Sequence, residues 1–117
     1  MKARMLLLCG ALAAAFSAPA GAHAFLQQAN PGAGAILAQA PGEIRLTFSE
    51  PLEPVFSGVT VTDGAGHDVE AICPVVAGAS IRALLKPLGP GKYRVAWRAV
   101  SVDTHRTEGA YGFTIKP

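Results

Sequence analysis

Residues 93–98 read Tyr93-Arg94-Val95-Ala96-Trp97-Arg98, with Tyr93, Val95 and Trp97 at every second position. A period of two sends those three side chains to one face of an extended strand, where a helical period would scatter them. The strand is expected to run on to about Val102. Pro87-Leu88-Gly89-Pro90-Gly91 breaks the chain before it, and a last strand beyond it sets Tyr111, Phe113 and Ile115 on one face. An aromatic residue on such a strand belongs to the core, so Trp97 is expected to pack and not to serve as a cofactor platform.

The same pattern recurs outward from this stretch. Phe25 to Ala29 reads as a first strand, ended by Asn30-Pro31-Gly32. Ile44, Leu46 and Phe48 alternate with Arg45 and Thr47. After Pro51 and Pro54, Gly58 to Thr62 resumes with Val59 and Val61 on one face, and Asp63-Gly64-Ala65-Gly66 turns the chain. Val69 to Cys73 is a weak strand expected to stop at Pro74, and Ser80 to Lys86 is the next. About seven short strands with regular turns, and no amphipathic helix, predict an all-β antiparallel sandwich. No internal repeat, low-complexity tract or linker interrupts it.

Met1 to Ala22 has the three parts of a secretory signal. Lys2 and Arg4 open it, Met5 to Phe16 is an uncharged apolar run, and Ala20-Gly21-Ala22 offers a small-x-small cleavage site. The run is too short for a permanent membrane span, and no later stretch replaces it. Cys9 lies within the run and not at its end, which argues against a lipoprotein. Ala22-His23-Ala24 is a second match, which would discard His23, and sequence rules favour neither cut. With cleavage after Ala22, residues 23–117 form one domain, large enough for a single core.

Composition then excludes several classes. Half the residues are hydrophobic and 15% are charged, so the chain is not disordered. Lys2 and Arg4 leave with the signal, so the ten basic residues fall to eight, against eight acidic ones. A nucleic-acid binder carries a basic excess, and the mature chain has none. Both methionines, Met1 and Met5, leave as well, so no thioether remains. Cys73 is then the single cysteine, and no intramolecular disulfide forms.

Three histidines survive processing: His23, His67 and His105. A histidine at a free N-terminus offers two nitrogens, the α-amine and ring Nδ1, that close one chelate ring on a metal. The α-amine has an intrinsic pKa of roughly 7.7–8.0, so a metal displaces its proton far more easily than a lysine's. Asp103 and His105 are two apart, so in an extended segment their side chains share a side. Two imidazoles, an amine and a carboxylate suit Cu(II), which heads the Irving–Williams order. Loops and termini gather at the ends of a sandwich, so the chain start can meet the loop between the last two strands. Taken singly, an Asp-x-His loop is a solvated turn and a histidine after a signal is chance; their coincidence strengthens the metal reading, and spacing alone does not decide it.

Across nearly its whole mature length the chain resembles the CopC copper-resistance family. The matching stretches are His23-Ala24, Leu46-Thr47-Phe48-Ser49-Glu50-Pro51, Pro90 to Arg98, Val100-Ser101-Val102-Asp103-Thr104-His105, and the Gly109 to Ile115 strand. The resemblance implies a seven-stranded Greek-key sandwich or barrel, immunoglobulin-like or cupredoxin-like. It also implies a Cu(II) site built from the N-terminal His23, Asp103 and His105, and with it cleavage after Ala22. Glu50 matches a glutamate at the family's copper site, which implies an axial or outer-shell role. The methionine-rich Cu(I) loop of some members has no counterpart here. His67 and Cys73 occupy that region; a lone thiolate can bind Cu(I) with His67 assisting, and their ordinary readings are a solvated turn residue and a small buried hydrophobe.

The expected function is periplasmic Cu(II) binding, for sequestration, resistance or delivery to a membrane copper transporter. The resemblance implies an inner-membrane CopD-type partner for a monomeric carrier that stays out of the membrane. Two other classes compete with this reading. A copper-dependent oxidative enzyme of the histidine-brace type would need a substrate face that a 95-residue sandwich hardly has, and a coordination position that Asp103 would fill. In a metal-free interaction module, Asp103 and His105 would be incidental.

Overall fold

The structure is a computed structural model that describes residues 24–69 and 71–117, with residues 71–73 as backbone alone. The segment read as a signal, and His23 with it, lies outside the described residues. Eight strands are found among these residues: β1 (Leu26–Asn30), β2 (Ile36–Leu37), β3 (Glu43–Phe48), β4 (Gly58–Asp63), β5 (Ala71–Ala77), β6 (Ser80–Leu85), β7 (Gly91–Val100) and β8 (Arg106–Ile115). They form two four-stranded sheets, ordered β1-β3-β6-β5 and β2-β8-β7-β4. The return of β6 to the side of β3, after β4 has crossed to the other sheet, gives the Greek-key path.

The alternating residues face one another between the sheets. Ile44, Leu46 and Phe48 of β3 and Ile81, Ala83 and Leu85 of β6 line one wall. Val59 and Val61 of β4, Val95 and Ala99 of β7, and Phe113 and Ile115 of β8 line the other. Each buried Val, Leu, Ile or Phe side chain among these stabilises the fold by about 1.5–3 kcal/mol before the entropy of ordering is set against it.

Two expectations need correction. The sandwich has eight strands and not seven, and it is not wholly antiparallel: β2 pairs parallel with β8, Ile36 opposite Thr114 and Leu37 opposite Ile115. Two residues carry no periodicity, so nothing in the sequence marks this strand. The strand near Val69 starts at Ala71 and continues through Pro74 to Ala77. β5 is an edge strand whose register shifts between Ile72 and Val75, and an edge bulge is where a residue lacking an N–H is tolerated.

Trp97 points between the sheets as expected but is only partly buried, packed against the rim of the core. Its ring meets Phe48 of the opposite sheet edge-on, with centroids 5.2 Å apart and planes at 71°. Directly across the ladder stands Gly109. A Cβ there would lie 2.5 Å from Trp97 Cζ2 and 2.9 Å from Cε2, so the indole occupies the space that any side chain would need. β1 is tied to the far sheet at both ends. Tyr111 on β8 donates its hydroxyl to the Pro31 carbonyl (2.8 Å), and Thr107 on β8 donates to the Ala24 carbonyl (2.7 Å). Burial pushes the Tyr111 phenol up to about 12.

The end of the sandwich where β1 begins, β3 ends and β7 turns into β8 is densely stitched. The Ser49 amide donates to the Phe25 carbonyl (2.8 Å), the Glu53 amide to the Val100 carbonyl (2.7 Å), and Leu52 bridges Ser101. Buried Ser57 accepts the Val100 amide on its hydroxyl (3.0 Å).

Gly109→Ala should displace the indole and destabilise the domain by about 1–3 kcal/mol, the range for forcing extra atoms into a packed site. Urea unfolding followed by the fluorescence of Trp97, the single tryptophan, reads both effects. An unchanged midpoint and spectrum would show that the ring does not depend on this glycine.

Candidate metal centre

β7 and β8 pair over ten residues, from Gly91 opposite Ile115 to Val100 opposite Arg106. The five residues left between them, 101–105, form the hairpin tip. The tip closes through the Ser101 amide on the His105 carbonyl (2.9 Å) and the Thr104 amide on the Ser101 carbonyl (2.8 Å). Thr104 takes a left-handed backbone, φ 75°. That conformation is uncommon for a β-branched residue, and here it reverses the chain between Asp103 and His105.

The reversal brings the two side chains together. His105 Nδ1 lies 3.2 Å from Asp103 Oδ1, and the His105 amide also donates to Oδ1 (3.4 Å). The Ser101 hydroxyl donates to the same oxygen. That serine is 1% exposed, whereas about half of each of the other two side chains is in solvent. The Ser101 hydroxyl foremost, and then His105, hold the Asp103 carboxyl below the ordinary aspartate range. With the Nδ1 proton directed at Asp103, the basic nitrogen of the neutral ring is Nε2. The hairpin thus carries an anionic oxygen donor and an imidazole side by side.

Two further expected residues belong to the same end. Glu50, half-buried, lies between Ser49, whose amide bonds the Phe25 carbonyl, and Pro51, whose carbonyl accepts the Val102 amide (3.2 Å). His23 lies outside the described residues, but its neighbour Ala24 is buried and is bonded to Thr107, two residues beyond His105. Among the described residues, no three His, Cys, Asp or Glu side chains converge as a metal site. Asp103 and His105 are a pair, and Glu50 does not close a triad with them.

His67 is elsewhere. It follows the turn after β4, where Asp63 Oδ1 accepts the amides of Ala65 (2.9 Å) and His67 (3.0 Å). Asp63 pairs with Tyr93, at the opposite end of β7 from the hairpin tip. Those amides, His67's first, keep the Asp63 carboxyl low, and the histidine ring is 81% exposed. The Cys73 side chain lies outside the described residues.

Three residues escaped the sequence reading: Ser101, Ser49 and Thr107. A Ser-x-Asp-x-His spacing offers a faint signal for the first, since alternate residues share a side. Thr107 carries no local signal, because its partner is 83 residues away.

The Asp103 carboxyl should titrate below an ordinary aspartate, as read by carboxyl carbon NMR on metal-free protein. Its stabilisation is complete above the unfolded pKa of about 3.9 and fades as pH falls through the lower folded value. Ser101→Ala should move the titration up toward the ordinary range. An unmoved titration would show that the serine does not hold the carboxylate.

The chain is similar to several known proteins. Residues 26–116 match the family model described as CopC domain. The copper resistance protein C of Escherichia coli is 40% identical over 120 residues, covering 94% of each chain. The copper transport protein CutJ of Bacillus subtilis is 31% identical over 98 residues, which is 80% of this chain and 18% of that longer one. The crystal structure of PcoC, described as a methionine-rich copper resistance protein from Escherichia coli, superposes with a TM-score of 0.73 at 39% identity. The match covers 81% of this chain and all of that one. A family match over most of the chain, with a near-full-length relative at this identity and a shared sandwich, leaves one conclusion: the chain belongs to the CopC family.

Proposed function

We propose that this protein is an exported Cu(II) carrier that takes up copper in the periplasm, for sequestration or for delivery to a membrane copper transporter. The observation that carries the reading is the Asp103–His105 pair at the tip of the β7–β8 hairpin, two residues from the point where Thr107 holds Ala24. Removal of residues 1–22 would make His23 the first residue of a domain spanning 23–117. His23 is one peptide step from Ala24, so its α-carbon is about 3.8 Å from that of a residue already tied to the hairpin strand. Its amine and ring would then join Asp103 and His105 around one ion, with Glu50 acting from the adjoining segment on the amine or on a bound water.

Nitrogen and carboxylate donors favour the cupric state over the cuprous one. PcoC is described as methionine-rich, whereas here both methionines, Met1 and Met5, fall in the proposed leader. The mature chain would therefore handle Cu(II) alone. It acts as a binder, with copper as cargo and no catalytic step assigned. CutJ joins a segment similar to this chain to a much longer copper transport protein. As a monomeric carrier, this protein would pass its copper to a membrane partner of the CopD type.

Asp103→Ala and His105→Ala should each weaken Cu(II) binding by about a hundredfold or more, and Glu50→Gln by about tenfold, as for partners outside the ligand set. Competition titration with electron paramagnetic resonance measures this on the mature chain. Unchanged affinity in either alanine variant would remove that residue from the site.

One extra residue ahead of His23 should be as damaging as loss of His105, because it turns a chelating amine into an amide. Mass spectrometry of the exported protein fixes its first residue, and titration of both forms completes the test. Equal affinities would end the chelate argument.

A further inference from the structure

We infer that Thr107, with Ser49, is a positioning residue of the copper site, holding the start of the chain so that the first residue is presented to the hairpin. The inference rests on the function proposed above and names what prepares that site before any metal arrives.

β1 is an edge strand, paired on one side only, to β3. Its ladder begins at Leu26, opposite Phe48, and shifts register before Gln28. The ladder alone is therefore irregular at the end where placement matters most. Ala24 and Phe25 precede the ladder, and hydroxyl side chains take over there. Ser49 accepts the Phe25 amide on its hydroxyl (2.8 Å) and returns its own amide to the Phe25 carbonyl (2.8 Å). Thr107 reaches from the other sheet and donates to the Ala24 carbonyl (2.7 Å). These contacts fix two consecutive peptide units from two directions, one from each sheet. His105 and Thr107 are two apart, so the residue that receives Ala24 is continuous with the one that carries the imidazole.

Preorganisation is the gain. If the first residues were loose, binding would be weakened by the fraction of time the amine spends in place. The Tyr111 hydroxyl on the Pro31 carbonyl, at the far end of β1, supplies an internal comparison. It is a bond of the same kind between the same two strands, away from the candidate metal centre.

The test uses the mature chain beginning at His23, with Thr107→Val, Thr107→Ser and Tyr111→Phe. In metal-free protein, Thr107→Val should speed exchange of the Phe25 amide several-fold, while Thr107→Ser should not. Cu(II) affinity should fall about fivefold to tenfold in Thr107→Val, with an altered paramagnetic resonance spectrum, and recover in Thr107→Ser. Tyr111→Phe should lower the unfolding midpoint and leave affinity alone. In a chain with one residue added before His23, Thr107→Val should change affinity no further. Wild-type exchange and affinity in Thr107→Val would overturn the inference, as would an equal loss in the extended chain. If unmodified protein binds no Cu(II), the proposed function fails and this inference with it. The exchange data, which need no metal, separate that failure from a clamp that never formed.

Discussion

The ten-residue antiparallel register between β7 and β8 is the constraint on which the rest depends. A slip of one residue by β8 against β7 would turn Phe113 and Ile115 out of the core while Val95 and Ala99 stayed in it. The same register sets Trp97 opposite Gly109, where the indole occupies the space a side chain would need. It also decides where the ladder stops. With Val100 opposite Arg106, five residues remain to turn the chain, and they include both hairpin donors. Core packing and candidate chemistry are thus two results of one alignment.

At the hairpin tip, order comes from buried polarity beneath exposed charge. Ser101 is enclosed and fully bonded, and it steers a carboxylate that is itself half in solvent. The arrangement leaves both side chains reachable from solvent while limiting how far they can swing. The other charge cluster contrasts with it. Glu43 accepts Arg82 Nε (2.7 Å) and Arg45 Nε (3.2 Å) on the outer face of the first sheet. The Arg82 hydrogen bond foremost keeps that carboxyl low, and both partners are cations, so the group is occupied by the fold. Exposed pairs of this kind add little stability.

Much of the fold was legible because alternation is a local property. The strands around Ile44, Val59, Ile81, Val95 and Phe113 announce themselves within six residues. β2 leaves no signal because two residues have no period, and β5 runs past Pro74 because its strand lies at an edge, which no local pattern reveals. The Asp103–His105 pair was legible from spacing, although their meeting depends on the left-handed Thr104, which no residue rule foretells. Thr107 and Ser49 were not legible. Their partners are 83 and 24 residues away, and hydroxyl-to-backbone bonds leave no mark on composition.

Pro74 and the bulge beside it have a consequence for the behaviour of many copies together. A sheet margin with unspent donors and acceptors invites a neighbouring molecule to add its own strand. Here the margin formed by β5 is interrupted by a residue without an N–H, the margin formed by β1 is kinked, and β2 is too short to template anything. The fourth margin, β4, is partly covered by the segment that follows it, through the Asp63 amide on the His67 carbonyl (2.9 Å) and the Val69 amide on the Val61 carbonyl (2.8 Å). Crowded copies of this protein therefore find few uninterrupted margins along which to zip together.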